Sequence, residues 1–180
     1  MKRTIALVAG SLPLVMAVAL LAGPSSANRG REMRSLQDAQ LAAAKEATKG
    51  FLTPAGAMAA GYVPASPCVS SPFGGMGFHY DHPELLQRTV MDILRPAVLN
   101  YRPTAGGLVL SSLEYYKVDA DQNLATNGDR PTLFGVPFDG PMPGHGPPAN
   151  PGPIHYDLHV WLWFHNPSGM FSQWNPLLVC

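Results

Sequence analysis

The run Ile154–Phe164, IHYDLHVWLWF, is the stretch on which the reading of this chain turns. Its β-branched and aromatic content and its alternation of residue types predict an extended strand. Side chains on a strand point alternately to opposite faces. Tyr156, Leu158, Val160, Leu162 and Phe164 then form one wholly apolar face, which has to be buried. His155, Asp157, His159, Trp161 and Trp163 form the other. A polar row running into two tryptophans is what the wall of a cavity or cleft would look like.

The same geometry limits the chemistry of that row. At ~3.3 Å per residue, His155 and His159 stand roughly 13 Å apart, so a regular strand cannot bring both to one ion. Neighbours two positions apart are separated by about 6.6 Å. Asp157 with His155, or Asp157 with His159, could therefore share an ion at the ~2.0–2.2 Å bonds that zinc prefers. His79 or Glu114 would complete the set from another segment. Glu114 lies in an apolar run beside Tyr115 and Tyr116, where a lone carboxylate is costly unless paired. The candidate ligands for a divalent metal, zinc or copper, are thus His79, Glu114, His155, Asp157 and His159, not all on one ion. Two other readings stand beside this one: buried structural histidines bonded to Asp157 or the backbone, and metal-free acid–base chemistry. Read as a helix, the run would place both histidines on one face, but Tyr156 occupies the position of the metalloprotease glutamate, which excludes that class. His145, in Gly144-His145-Gly146, reads as a loop histidine able to close over a site.

Outward from this strand, Arg31–Lys49 is rich in helix formers. Met33, Leu36, Leu41, Ala44 and Thr48 lie near one face, and Gly50 ends the run. Thr53-Pro54 opens a short second helix to Ala60. The prolines and glycines of residues 63–77 predict a loop that delivers Phe78-His79-Tyr80 to the core. Pro83–Leu94 reads as a helix capped by Asp81 and ended by Pro96. Residues 97–102 and 107–118 read as a hairpin of two strands. Residues 131–153, dense in proline, read as a long irregular stretch and a candidate site wall. The expected fold is α+β: N-terminal helices packed on a small antiparallel sheet that includes 97–102, 107–118 and 154–164, with long Pro/Gly-rich loops.

The first 27 residues, a basic start, an apolar run and Ser25-Ser26-Ala27, read as a secretory signal cleaved between Ala27 and Asn28. Residues 28–180 remain as one globular domain, with a helical segment at 28–61 and a core at 62–180. That domain is expected to have no stable membrane anchor and to be secreted, periplasmic or associated with the cell envelope. In an oxidising compartment, Cys68 and Cys180 are expected to form a disulfide. Closing so long a loop could contribute as much as ~4.8 kcal/mol.

Eighteen glycines and 19 prolines in 180 residues, with only 13% charged residues, exclude a coiled coil or an acidic tail. The 12 basic and 12 acidic residues balance, and loss of Lys2 and Arg3 with the leader makes the remainder weakly acidic. No basic field exists to meet a phosphate backbone, which argues against a nucleic-acid partner. Asp119, Asp121 and Asn123 begin like a calcium loop, but Leu124 and Arg130 stand where its glycine and bidentate glutamate belong. There is no nucleophile elbow and no phosphate cradle.

Four blocks, GGMGFHY at 74–80, PTLFG at 131–135, GPMPGHG at 140–146 and HYDLHVWLWFHNPSGMFSQWNP at 155–176, resemble a group of small secreted bacterial proteins that carry no assigned activity. Members of that group have an acidic residue where Gly146 stands here. The sequence supports an exported, candidate metal-binding protein. The alternative is a non-catalytic envelope or glycan-binding module using Trp161, Trp163 and the Pro/Gly loop as an aromatic surface.

Overall fold

The computed structural model describes residues 26–146 and 149–180. The leader expected at 1–27 lies outside them except for Ser26 and Ala27, which begin the first helix with Asn28. Helix α1 (Ser26–Ala47) is followed by a 3-10 turn at Lys49–Phe51 and by α2 (Pro54–Ala59). Among the described residues nine strands follow: β1 (Val63–Pro64), β2 (Val69–Ser71), β3 (Gly74–Asp81), β4 (Val98–Thr104), β5 (Gly107–Val118), β6 (Thr132–Leu133), β7 (Val136–Pro137), β8 (Asp139–Met142) and β9 (His155–Val160). Seven of these make one antiparallel sheet in the order β1-β3-β4-β5-β9-β8, with β2 also on β3. The fold is α+β, but the sheet dominates it and the helices are few.

The central strands follow from register. Leu99 pairs with Leu113 and Tyr115 with Leu158, so these residues line one apolar face together with Tyr156, Val160 and Tyr101. A bulge on β5 at Ser111 keeps that face continuous: Asn100 pairs with Ser112, but Tyr101 pairs with Leu110. The one-residue slip turns both Leu110 and Leu113 inward, and the Ser111 hydroxyl donates to the Asn100 carbonyl across it at 2.7 Å. The C-terminal half of α1 covers this face with Leu41 and Ala44, joined by Ala57, Leu85, Phe134 and Phe138.

Several expectations are corrected. Met33 and Leu36 are exposed, so only the later turns of α1 dock. Pro83–Leu94 is not a helix but two separate turns. The first is closed by the Leu85 and Leu86 amides on the His82 carbonyl, and the second by the Leu94 amide on the Asp92 carboxylate. So short a helix is marginal alone, and an aspartate that bonds its own backbone offers the chain a competing turn. Residues 63–77 are not a plain loop, since β1, β2 and the start of β3 lie in them. The glycines of β3 belong to a strand crowded by its neighbours. A Cβ on Gly77, at φ +97°, would sit 2.3 Å from the Tyr101 carbonyl oxygen. One on Gly75 would sit 2.5 Å from the Leu178 side chain. The stretch 131–153 is likewise partly ordered, with a β6–β7 hairpin turning at Phe134 and Gly135, and with β8 paired to β9.

The last strand stops at Val160 rather than Phe164. Its partner β5 bulges there, and the Trp163 amide donates to the Ser111 carbonyl while the Trp161 amide donates to Met170. The chain then returns along β3, through a Gly75–Asn175 bridge, to the Cys68–Cys180 disulfide. Among the described residues, no helix is long and apolar enough to cross a membrane.

The bridge ties residues 112 positions apart. Replacing both cysteines by serine is expected to lower unfolding stability by about 2–5 kcal/mol in urea titrations at pH 7. A change below about 1 kcal/mol would show that β2 and the tail hold without it.

Candidate metal centre

The second face of the sheet is polar, and strand pairing assembles it. Val98 pairs with Glu114 and Glu114 with His159, while His79 pairs with Asn100 and Asn100 with Ser112. Directly paired residues share a face. His79, Asn100, Ser112, Glu114 and His159 therefore converge from β3, β4, β5 and β9. Asp81, Tyr116, Asp157 and His155 flank them on the same face.

Central placement buries these groups. Relative side-chain exposure is 15% at His79, 8% at Glu114 and 1% at His159. Glu114 Oε2 lies 3.5 Å from His79 Nε2 and 3.3 Å from His159 Nε2, and it accepts a hydrogen bond from Asn100 Nδ2 at 3.1 Å. The donor atoms of His79, Glu114 and His159 all lie within 4.8 Å of one another, so this group could hold a metal ion.

Outer contacts orient the two imidazoles. The backbone N–H of His79 donates to Ser66 Oγ, and that hydroxyl donates to the Pro67 carbonyl. Ser66 Oγ also lies 2.8 Å from His79 Nδ1, which turns Nε2 of the ring towards Glu114. His159 turns Nε2 to Glu114 and Nδ1 to Asp157 Oδ1, 3.9 Å away.

Electrostatics keeps both rings neutral. Burial, followed by the nearby His145, lowers His79 to about 4. Burial, outweighing Asp157, lowers His159 to about 4. These contacts are therefore not salt bridges. Burial raises Glu114 to about 7 against the hydrogen bond from Asn100, and it raises Asp157 to about 7 against the pull of His159.

Hydrogen bonding on this face is incomplete. Both ring nitrogens of His159, Asp157 Oδ1, Asn100 Oδ1 and Ser112 Oγ are buried without a hydrogen-bond partner among the described residues. Each such atom costs roughly 1–3 kcal/mol. A proton between Glu114 and one imidazole relieves a single pair, whereas a cation at the centre engages His79, Glu114 and His159 together.

Of the five candidates read from sequence, the structure brings His79, Glu114 and His159 together. Asp157 stands behind His159 and faces its other nitrogen. His155 is set apart, at the Val118 level of the sheet: its ring stacks on Tyr116 with centroids 4.5 Å apart, and Nδ1 contacts the Pro153 carbonyl. The pairing of Asp157 with His155 on one ion is thereby not realised. Ser66 and Asn100 were not singled out from sequence. An alternation reading of 97–102 beside 107–118 places Asn100 on the face of Glu114, but nothing local marks Ser66. The tryptophans do not extend the polar row. Trp161 is buried and donates to the Ser172 carbonyl, while Trp163 donates to Thr48 Oγ1 and lies under Lys45. Loop 119–129 closes on itself, with Asp119, Asp121 and Asp129 accepting from its own amides.

The raised Glu114 carboxyl sets a pH signature in metal-stripped protein. A carboxylate favoured protonated in the fold destabilises it as pH climbs from its ordinary value of 4.5 through about 7. Glu114→Gln removes that penalty. It is expected to match the parent below about pH 4.5 and to exceed it above pH 7 by on the order of 2–3 kcal/mol, read by urea denaturation in chelator. A variant less stable at every pH would show that the ionised carboxylate is satisfied by the protein alone.

No family model, curated protein or solved structure matches the chain.

Proposed function

We propose that this is an exported protein that binds one divalent metal ion, zinc or copper, through His79 Nε2, His159 Nε2 and a Glu114 carboxylate oxygen. The observation that carries the reading is the buried convergence of two neutral imidazole nitrogens on one carboxylate oxygen. Bonds of ~2.0–2.1 Å at tetrahedral angles place donor atoms about 3.3–3.4 Å apart. The separations from Glu114 Oε2, 3.5 Å and 3.3 Å, match that edge. Imidazole and carboxylate suit zinc, and imidazole also suits copper. The outer groups accord with this: Ser66 orients His79 from behind, and Asp157 Oδ1 faces the other nitrogen of His159 at 3.9 Å, on the side where a carboxylate supports a metal-bound histidine.

Export accords with the N-terminal sequence and with the Cys68–Cys180 disulfide, a bond that persists in oxidising compartments. The glycan-binding alternative has less support, since Trp161 and Trp163 are taken up in packing and hydrogen bonds instead of forming an open platform.

Tag-free protein, stripped with chelator and titrated with zinc or copper, is expected to take up one equivalent and to melt several degrees higher. His159→Ala should abolish both effects, and His79→Ala should weaken binding at least 100-fold by calorimetry. Less than a tenth of an equivalent bound, with no shift in melting, contradicts the proposal.

A further inference from the structure

Glu114 and His159 stand on neighbouring strands in direct register, whereas His79 stands on β3, whose outer edge meets only β1 and β2, of two and three residues. Pairings that short add little cohesion of their own, and such edges are where a fold opens locally. Ser66 lies in the gap between β1 and β2. Its Oγ accepts from the His79 amide at 3.2 Å and lies 2.8 Å from His79 Nδ1, while the Ala65 amide donates to the His79 carbonyl at 2.9 Å. Residues 65 and 66 thus place both the backbone and the ring of His79.

Two residues beyond Ser66, Cys68 joins this strap to Cys180. The tail leading to Cys180 crosses β3 itself. Asn175 and Gly75 exchange amide-to-carbonyl hydrogen bonds at 3.0 and 3.1 Å, and Leu178, only 3% exposed, packs into the space that a side chain on Gly75 would fill. The bridge therefore closes strap and tail into a clasp around the strand that carries His79. Cys180 is exposed and Cys68 half-buried, so a redox partner can reach the bond.

We infer that the Cys68–Cys180 bridge gates the metal centre: with both thiols free the chain holds zinc weakly, and closing the bridge sets His79 in place beside Glu114 and His159. The inference rests on the metal-binding reading above and adds to it a redox condition for loading. Closure is a two-electron oxidation by thiol–disulfide exchange. The S–S bond of an oxidant disulfide breaks and leaves as two thiols, taking up the two protons and two electrons that Cys68 and Cys180 give up as their own S–S bond forms. A chain still in a reducing compartment then stays empty, and loading follows export.

The test measures zinc affinity, by competition with a chromophoric chelator, for oxidised tag-free parent, parent reduced with a phosphine, and Cys68→Ser/Cys180→Ser. Affinity is expected to fall at least tenfold in both open forms, and to return when the reduced parent is reoxidised with a small-molecule disulfide. Free thiols bind zinc themselves, so the serine variant decides. In a His79→Ala background, opening the bridge should change affinity less than twofold, because the clasp acts through that ring. Far-UV circular dichroism of the metal-free serine variant should match the parent. Equal affinity in the oxidised parent and the serine variant overturns the inference and leaves the three-residue centre standing. An equal loss with and without His79, or a serine variant whose sheet signal collapses as a whole, overturns it too, since either shows a global effect in place of a clasp on His79. A parent that takes up no zinc overturns both the inference and the reading beneath it.

Discussion

A carboxylate on the middle strand of a sheet, surrounded by neutral imidazoles, is the constraint around which this structure is arranged. Glu114 lies on β5 between β4 and β9 and is only 8% exposed, with His79 and His159 against its carboxylate. Its hydrogen bond from Asn100 offsets only part of its desolvation, and burial keeps its carboxyl near 7. A buried ionisable group without a full complement of partners is expensive. Its presence at the centre of the sheet, not at an edge, points to a function that the surrounding packing serves.

The rest of the polar face follows from that position. β3 is held against β4 by glycines, which allow the C-terminal segment to lie across it, and the Cys68–Cys180 bridge secures that segment. Ser66, two residues before Cys68, orients His79. The bulge at Ser111 keeps the apolar face of β5 continuous past Tyr101 while Ser112 and Glu114 stay on the polar side. Disulfide, bulge and glycine contacts thus act on the same few donor atoms. With three protein donors the centre resembles an open zinc site in ligand number, but its near-complete burial distinguishes it from a cleft built for a large substrate.

Much of this was legible in the sequence wherever alternation was strong. The residues of 154–160 alternate cleanly, and the structure keeps both faces as read, one apolar and one carrying His155, Asp157 and His159. Of the two histidines on that face, His159 is the one that groups with His79 and Glu114. What alternation could not show was that both faces are covered, because burial of the polar side depends on loops and on a tail far away in sequence. The glycines of β3 disguised a strand as a loop, since close backbone approach is a tertiary requirement with the same local signature as a turn. The reading of 83–94 failed for the opposite reason: its residues favour a helix locally, but the Asp92 turn and the docking of Leu85 hold the segment otherwise. The end of the last strand at Val160 was hidden too, because the cause lies in the bulge on its partner.

The centre can be seen directly by anomalous diffraction from crystals of tag-free protein grown with one equivalent of zinc, recorded above and below the zinc absorption edge. The account requires a single strong peak about 2.0–2.2 Å from His79 Nε2, His159 Nε2 and a Glu114 oxygen. An absent peak, with the Glu114 carboxyl donating a proton to His159 instead, would contradict it and reduce the cluster to a buried hydrogen-bonded core.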